Sequence, residues 1–199
     1  VQELTSVKYQ YQRDLDEITA MIDGMALYLE NVQYAPGKTV KVINRPSATR
    51  DMDAEIPCVY IVVSGSWERF QPTLVKTSIV ENDALARVAE FTGKLDLVVI
   101  SDNQDVRSVL MLAIREALDP DIRYTNTDGV SIPLPRYFGG FTSLKGVVIN
   151  SEIDDNPESV LSGEFNGNIS FSCDMPIFRQ CWLAEGVPTF RVKLSADEE

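Results

Sequence analysis

One stretch constrains the fold more than any other: KLDLVVISDNQDVRSVLMLAIREALDP, from Lys94 to Pro120. Leu95, Leu97 and Val99 alternate in the period-two pattern of a strand before the run becomes fully apolar. Ser101 then stands at a helix start, and Gln104, three residues on, has the spacing of a capping box. Val106, Val109, Leu110, Ala113, Ile114, Ala117 and Leu118 make the following helix amphipathic, and Asp119-Pro120 stops it. A strand that delivers the chain straight into such a helix calls for a sheet with a helix laid on it, a mixed α and β class.

A second helix is expected over Tyr11 to Val32, where Leu15, Ile18, Ile22, Met25, Leu29 and Val32 recur at steps of three and four. Asp14, Asp16 and Glu17 near its start complement the helix dipole. Gly24 weakens it by about 1 kcal/mol relative to alanine and allows close approach of another element. The stripe suits burial in the chain's own core, and as an a/d seam it also suits a partner helix. Ala35-Pro36-Gly37 ends this helix, and KTVKVI comes next as a strand, with Val40 and Val42 alternating against Thr39 and Lys41. Asn44 to Pro57 is polar and turn-rich, hence a loop. The continuous apolar run Cys58 to Val63 predicts a strand lying centrally in a sheet.

Gly65 to Val75, with Trp67, Phe70 and Pro72, reads as irregular. Asn82 to Thr92 supports two readings. Leu85, Val88, Ala89 and Thr92 share a helical face and propensity favours a helix, but the same residues could form one arm of a long hairpin leading into the strand at Lys94. Beyond Pro120, residues 121–140 read as loop or short edge strands and Leu144 to Ile149 as a strand. Glu152 to Gly163 is an acidic connector, and Asn168 to Asp174 a strand that resumes over Ile177 to Leu183 after a break at Pro176. Val187 to Leu194 closes the pattern, with Phe190, Val192 and Leu194 on one face and Arg191 and Lys193 on the other, before a solvated acidic tail. With no repeat or linker to divide it, the chain is expected to form one domain over 1–199. Residues 1–120 would be a helix-sheet-helix core, and 121–199 a loop insertion with C-terminal strands.

Composition narrows function. A chain of 199 residues can bury about 70% of its unfolded surface, enough for a core without staples. Eighteen Lys and Arg against thirty Asp and Glu leave −12, which gives no general electrostatic claim on nucleic acid or anionic membrane. The absence of histidine removes Ser-His-Asp and Cys-His catalysis and histidine-ligated metals. Cys58, Cys173 and Cys181 form no C-x-x-C pair and read as small buried apolar side chains in a reducing cytosol. No run approaches the roughly 18 apolar residues of a membrane span, and the first residues lack a secretory signal. The expected site of synthesis is a cytoplasm.

Acidic clusters are the remaining raw material for chemistry: Asp51, Asp53 and Glu55; Asp102 and Asp105; Asp119 and Asp121; Glu152, Asp154, Asp155 and Glu158. A carboxylate-only Mg²⁺ or Ca²⁺ site is physically allowed, but Asp51 to Glu55 lacks the glycine and terminal glutamate of an EF-hand. Asp102 and Asp105 are explained as helix-start residues. No Walker A, G-x-G-x-x-G or G-x-S-x-G pattern is present, and nothing singles out a carboxylate pair for glycoside hydrolysis. Trp67, Phe70, Phe138, Phe141 and Trp182 are scattered aromatics suited to core or interface packing. The expectation is a protein without catalytic residues, metal ligands or a cofactor.

A long amphipathic helix, antiparallel strands, then KLDLVVISDNQDVRSVLMLAIREALD and further strands form an order that resembles the tail terminator proteins of long-tailed bacteriophages. The resemblance covers about Tyr11 to Leu118 in organisation. It implies an α+β fold, a mostly antiparallel sheet with two main helices packed on one face, and it favours the hairpin reading of Asn82 to Thr92. It also implies a virion subunit assembled in the host cytoplasm. Such subunits form a homo-oligomeric ring, usually a hexamer, that caps the tail tube and joins it to the neck. DNA would pass through without sequence-specific contact, and no membrane is involved. The segment Asp121 to Ser162 departs from the family pattern, so another neck, head-completion or tail protein is the alternative. A negative lumen avoids trapping phosphates, and Arg50 to Glu55 and Glu152 to Glu158 are the candidate sources of its charge.

Overall fold

The computed structural model describes residues 16–44, 56–78, 83–119, 129–137, 142–154, 160 and 163–182. Helix α1 spans Glu17–Leu29 and helix α2 spans Gln104–Leu118. The strands are β1 (Gln33–Ala35), β2 (Lys38–Thr39), β3 (Cys58–Ser78), β4 (Asp83–Ser101), β5 (Val130–Pro133), β6 (Ser143–Asp154) and β7 (Phe165–Trp182). Strands β1 and β2 form a small antiparallel hairpin around Pro36-Gly37, and the other five form one sheet in the order β3-β4-β7-β6-β5. Both β5–β6 and β6–β7 are antiparallel. Only four residues join β3 to β4, too few for a parallel crossover, so this neighbouring pair is antiparallel too. The fold is α+β, with a mostly antiparallel sheet and two helices.

One compact unit comprises residues up to Glu68 and Glu90–Pro176. Its core lies between the helices and one face of the sheet. Phe91, Leu95, Leu97 and Val99 of β4 and Ile169, Phe171, Cys173 and Met175 of β7 are buried at alternate positions, as the period of a strand requires. Helix α1 contributes Met21, Met25 and Leu29, and α2 contributes Leu110, Ile114 and Leu118. The helices are tied together by the Tyr28 hydroxyl, which donates to the Ala117 carbonyl at 2.8 Å. A second unit comprises Arg69–Ala89 and the chain from Ile177 onward. Its described part consists of the far ends of β3, β4 and β7, with Ala86, Ala89, Ile177 and Phe178 buried.

Several expectations need correction. Helix α1 stops at Leu29, capped at its start by Asp16, whose carboxylate accepts from the Thr19 amide at 2.7 Å. The helix is also rotated from the anticipated stripe: Ile18 is exposed, and Asp23 is buried beside Arg136 at 3.4 Å. Gly24 serves close approach as expected, because a Cβ there would overlap Leu134 and lie 3.3 Å from the Pro133 carbonyl oxygen. Of KTVKVI, only Lys38–Thr39 is strand. Strand β3 lies at the sheet edge, not centrally, and its start is covered by a parallel bridge from Val42 to Val59. Asn44 extends that cover, donating to the Ile61 carbonyl at 2.5 Å and accepting from the Ile61 amide at 3.0 Å.

The stretch 65–75, read as irregular, is strand throughout, whereas 82–92 takes the hairpin reading from Asp83 on. Strand β7 runs through Pro176 without a break. The helix α2 cap is Asn103, whose side chain accepts from the Asp105 and Val106 amides at 2.8 and 3.2 Å, in place of the Ser101–Gln104 box. Ser101 is buried and supports that turn, its hydroxyl donating to the Asn103 carbonyl at 3.0 Å. The supposed insertion after Pro120 contributes β5 and β6 to the main sheet, and Glu152 to Asp154 belong to β6, not to a connector. Tyr11 to Leu15 and Val187 to Leu194 lie outside the described residues.

Candidate functional site

Among the described residues the acidic side chains of these clusters are not brought together. Asp102 and Asp105 are exposed at the start of α2, Asp119 caps its other end, and Glu152 accepts from Asn150 Nδ2 at 2.6 Å on β6. Asp51, Asp53, Glu55, Asp121, Asp155 and Glu158 lie outside the described residues, as do Phe138 and Phe141. Among the described residues no group of three or more His, Cys, Asp or Glu is placed to hold a metal ion. No helix among them is long and apolar enough to cross a membrane. Trp67 is largely exposed and meets Phe91 edge-on, with ring centroids 5.2 Å apart.

Cys58 and Cys173 are free thiols, both buried. Burial pushes the Cys173 thiol up to about 12, and the adjacent Asp174 carboxylate adds to the rise. Cys58 is raised by burial as well, with Lys41 pulling it back and Glu164 adding to it. These are inert structural thiols, because the thiolate is the reactive form. At pH 8 a thiol at about 12 holds roughly a thousandfold less thiolate than one at 9.0. Iodoacetamide at pH 8 therefore leaves both residues unmodified in the folded protein and labels them in denaturant, as peptide mass spectrometry would show. Labelling of Cys173 in the native protein would refute this placement. In the unfolded chain Cys173 ionises above about pH 9, whereas the native thiol keeps its proton to about 12. Its contribution to stability is thus complete below pH 9 and falls as the pH rises from there towards 12.

The feature that sequence reasoning missed lies along β6. Strand β5 pairs only with Ser143 to Gly146, and among the described residues no strand covers the same side of β6 from Val147 to Asp154. Val147, Ile149 and Ile153 there are 38%, 57% and 56% exposed. A register shift between Val148 and Asn150 interrupts the ladder to β7, after which pairing is regular to Asp154. The nearby helix α2 also exposes Val109 and Leu112, while its Met111 lies over Gly167, the residue paired with Ile153. An uncovered edge bearing large apolar side chains is a template for another strand.

These elements define an α+β protein in which, among the described residues, no strand pairs with β6 beyond Gly146 on its β5 side. No family model matches the sequence, and no curated protein matches it. Among solved structures, the chain is similar to one from the virion of a native gene transfer agent particle, with 12% identity and a TM-score of 0.34, over 85% of this chain and 91% of that one.

Proposed function

We propose that this chain is a structural subunit of a phage particle, assembling as a homo-oligomeric ring, a hexamer, at the head-tail junction. There it caps the tail tube, meets the neck proteins and lets DNA through. The observation that carries the reading is the length of the strands. β3, β4 and β7 run for 21, 19 and 18 residues, against about five to six for an ordinary strand. Among the described side chains of the second unit, only Ala86, Ala89, Ile177 and Phe178 are buried apolar groups. Strands built so far past a small core gain stability from a partner's surface.

Charge supports the same role. A subunit carrying −12, repeated around a ring, gives a lumen that repels phosphates. With Glu152 in β6, the acidic segment 50–55 is the candidate source of lumen charge. Light scattering of the purified chain, with and without Mg²⁺, tests the assembly: six copies of 22.2 kDa give roughly 130 kDa. A strict monomer in both conditions overturns the reading. Reversing the charge of Asp51 and Asp53 should lower infectivity of the assembled particle, and unchanged DNA packaging and infectivity would remove the segment from the lumen.

A further inference from the structure

We infer that Asn166-Gly167, at the start of β7, is a site of spontaneous covalent modification, the conversion of asparagine to isoaspartate. Helix α2 holds the reaction in check by gripping the peptide group that must turn for it to begin.

Asn166-Gly167 is the one Asn-Gly pair in the sequence. Glycine after asparagine puts no side chain in the way of ring closure, so an unfolded chain deamidates fastest at such a pair. The Gly167 nitrogen gives up its proton and bonds to Asn166 Cγ. The Cγ–Nδ2 bond breaks, and Nδ2 leaves as ammonia with that proton. Water then opens the succinimide. Attack at Cγ gives aspartate, and attack at the main-chain carbonyl carbon gives isoaspartate, which routes the backbone through Cγ and lengthens it by one carbon.

The fold both creates this pair and guards it. Residue 167 is glycine because a Cβ there would overlap the Met111 sulfur and lie 3.0 Å from its Cε. The same packing leaves Gly167 buried. One turn earlier on α2, Arg107 donates from Nη1 to the Asn166 carbonyl oxygen at 3.2 Å, and its guanidinium lies over the Phe165 ring. That carbonyl belongs to the same planar peptide group as the Gly167 nitrogen. In extended backbone the nitrogen stands away from Cγ, and ring closure requires rotation about the Cα–C bond of Asn166, which swings this group. Arg107 therefore holds the group that must move. The ladder by itself is a weaker guard. Asn166 faces Asp154 and Gly167 faces Ile153, the last two rungs between β6 and β7 among the described residues, and ladder ends open most easily. Isoaspartate, once formed, displaces Phe165 and the rung to Asp154, so the change loosens the start of the sheet's middle strand and does not reverse.

The full chain, folded or in guanidinium chloride at pH 8, tests the guard. Fragmentation mass spectrometry of the tryptic peptide from Gly146 to Arg179 follows deamidation at Asn166. Conversion in the folded chain should be slower by at least about a hundredfold, because only the open fraction reacts. Arg107→Met keeps most of the volume and removes the donor. It should raise the folded-state rate by at least about tenfold and leave the rate in denaturant unchanged. Met25→Ala truncates a fully buried side chain of α1 and controls for general destabilisation; it should change the folded-state rate by less than about threefold. Equal rates in the folded and unfolded chain, or an Arg107→Met rate no faster than wild type, would show that α2 does not guard the pair. Acceleration by Met25→Ala as large as that by Arg107→Met would mean that the pair opens only with the whole fold, which refutes the local grip. No conversion in denaturant would refute the site itself.

Discussion

Arg107→Ala lowers the free energy of unfolding by about 3 kcal/mol, as much as truncating a buried leucine of the same helix. Arg107 is 1% exposed in the middle of the sheet-facing stripe of that helix, among Leu110, Met111 and Ile114. Its guanidinium donates to the Asn166 carbonyl at 3.2 Å and lies over the Phe165 ring, 5.9 Å from the centroid. Truncation removes a charge-assisted hydrogen bond, strands a carbonyl at the start of β7 and leaves a cavity. Those effects overlap, so they are not summed. Arg107→Met keeps most of the volume and loses the donor, and should cost about half as much. In urea, a loss of 3 kcal/mol moves the midpoint by about 1–1.5 M at an m-value of 2–3 kcal/mol/M. A shift below about 0.3 M for the alanine variant would show that the arginine is solvated.

The same residue shows where sequence reading stops. Helix α2 has apolar residues at Val106, Val109, Leu110, Met111, Leu112, Ala113 and Ile114, covering most of its circumference. The period puts Val109 on the inward stripe with Leu110 and Ile114, and an arginine argues for the outside. Tertiary partners reverse that choice, turning Arg107 and Met111 inward and Val109 and Leu112 outward. Helix α1 repeats the lesson: Asp23 is buried because Arg136, more than a hundred residues away, reaches it. By contrast, Lys94 to Leu118 was legible, because strand alternation and the helix stop are local signals. The cap moved two residues, from Ser101 to Asn103, and the strand and helix stayed in place.

Sheet position was not legible. Cys58 to Val63 suggests burial on two sides, whereas Leu144 to Ile149 reads only as a strand, with nothing in it to say which side is covered. Strand order is a property of pairings far apart in sequence; it puts β3 at one edge and β5 at the other and, among the described residues, leaves β6 beyond Gly146 without a strand on its β5 side. Length misled as well. Polar and turn-forming residues at 65–75 argue for a loop, yet β3 continues through them beside β4, which supplies its ladder. The exposure of Val147, Ile149 and Ile153 was therefore invisible for the same reason that β3 was misplaced. The residue types were plain, and their exposure depends on which strand stops short.

Gly146→Ala should destabilise the protein by about 2–3 kcal/mol, although strand propensity alone favours alanine by about 0.5–1 kcal/mol. The sign is decided by what surrounds the position. A Cβ at 146 would land on the Ser172 carbonyl oxygen and lie 2.7 and 2.8 Å from Cζ and Cε1 of Phe171. Real Cβ atoms do not approach so closely, and neither neighbour yields easily. Ser172 is held in the β6–β7 ladder, and the Phe171 ring is fully buried beneath the helices. Relief must come from separating β6 from β7 where Gly146 faces Cys173 on one side and Val130 of β5 on the other. Phe171→Leu in the alanine background clears the ring but not the carbonyl, so a double-mutant cycle should give a coupling of about 1 kcal/mol with most of the loss retained. Urea denaturation of the four proteins measures it. An alanine variant as stable as the parent would mean that the two strands stand further apart at this point than the ladder places them.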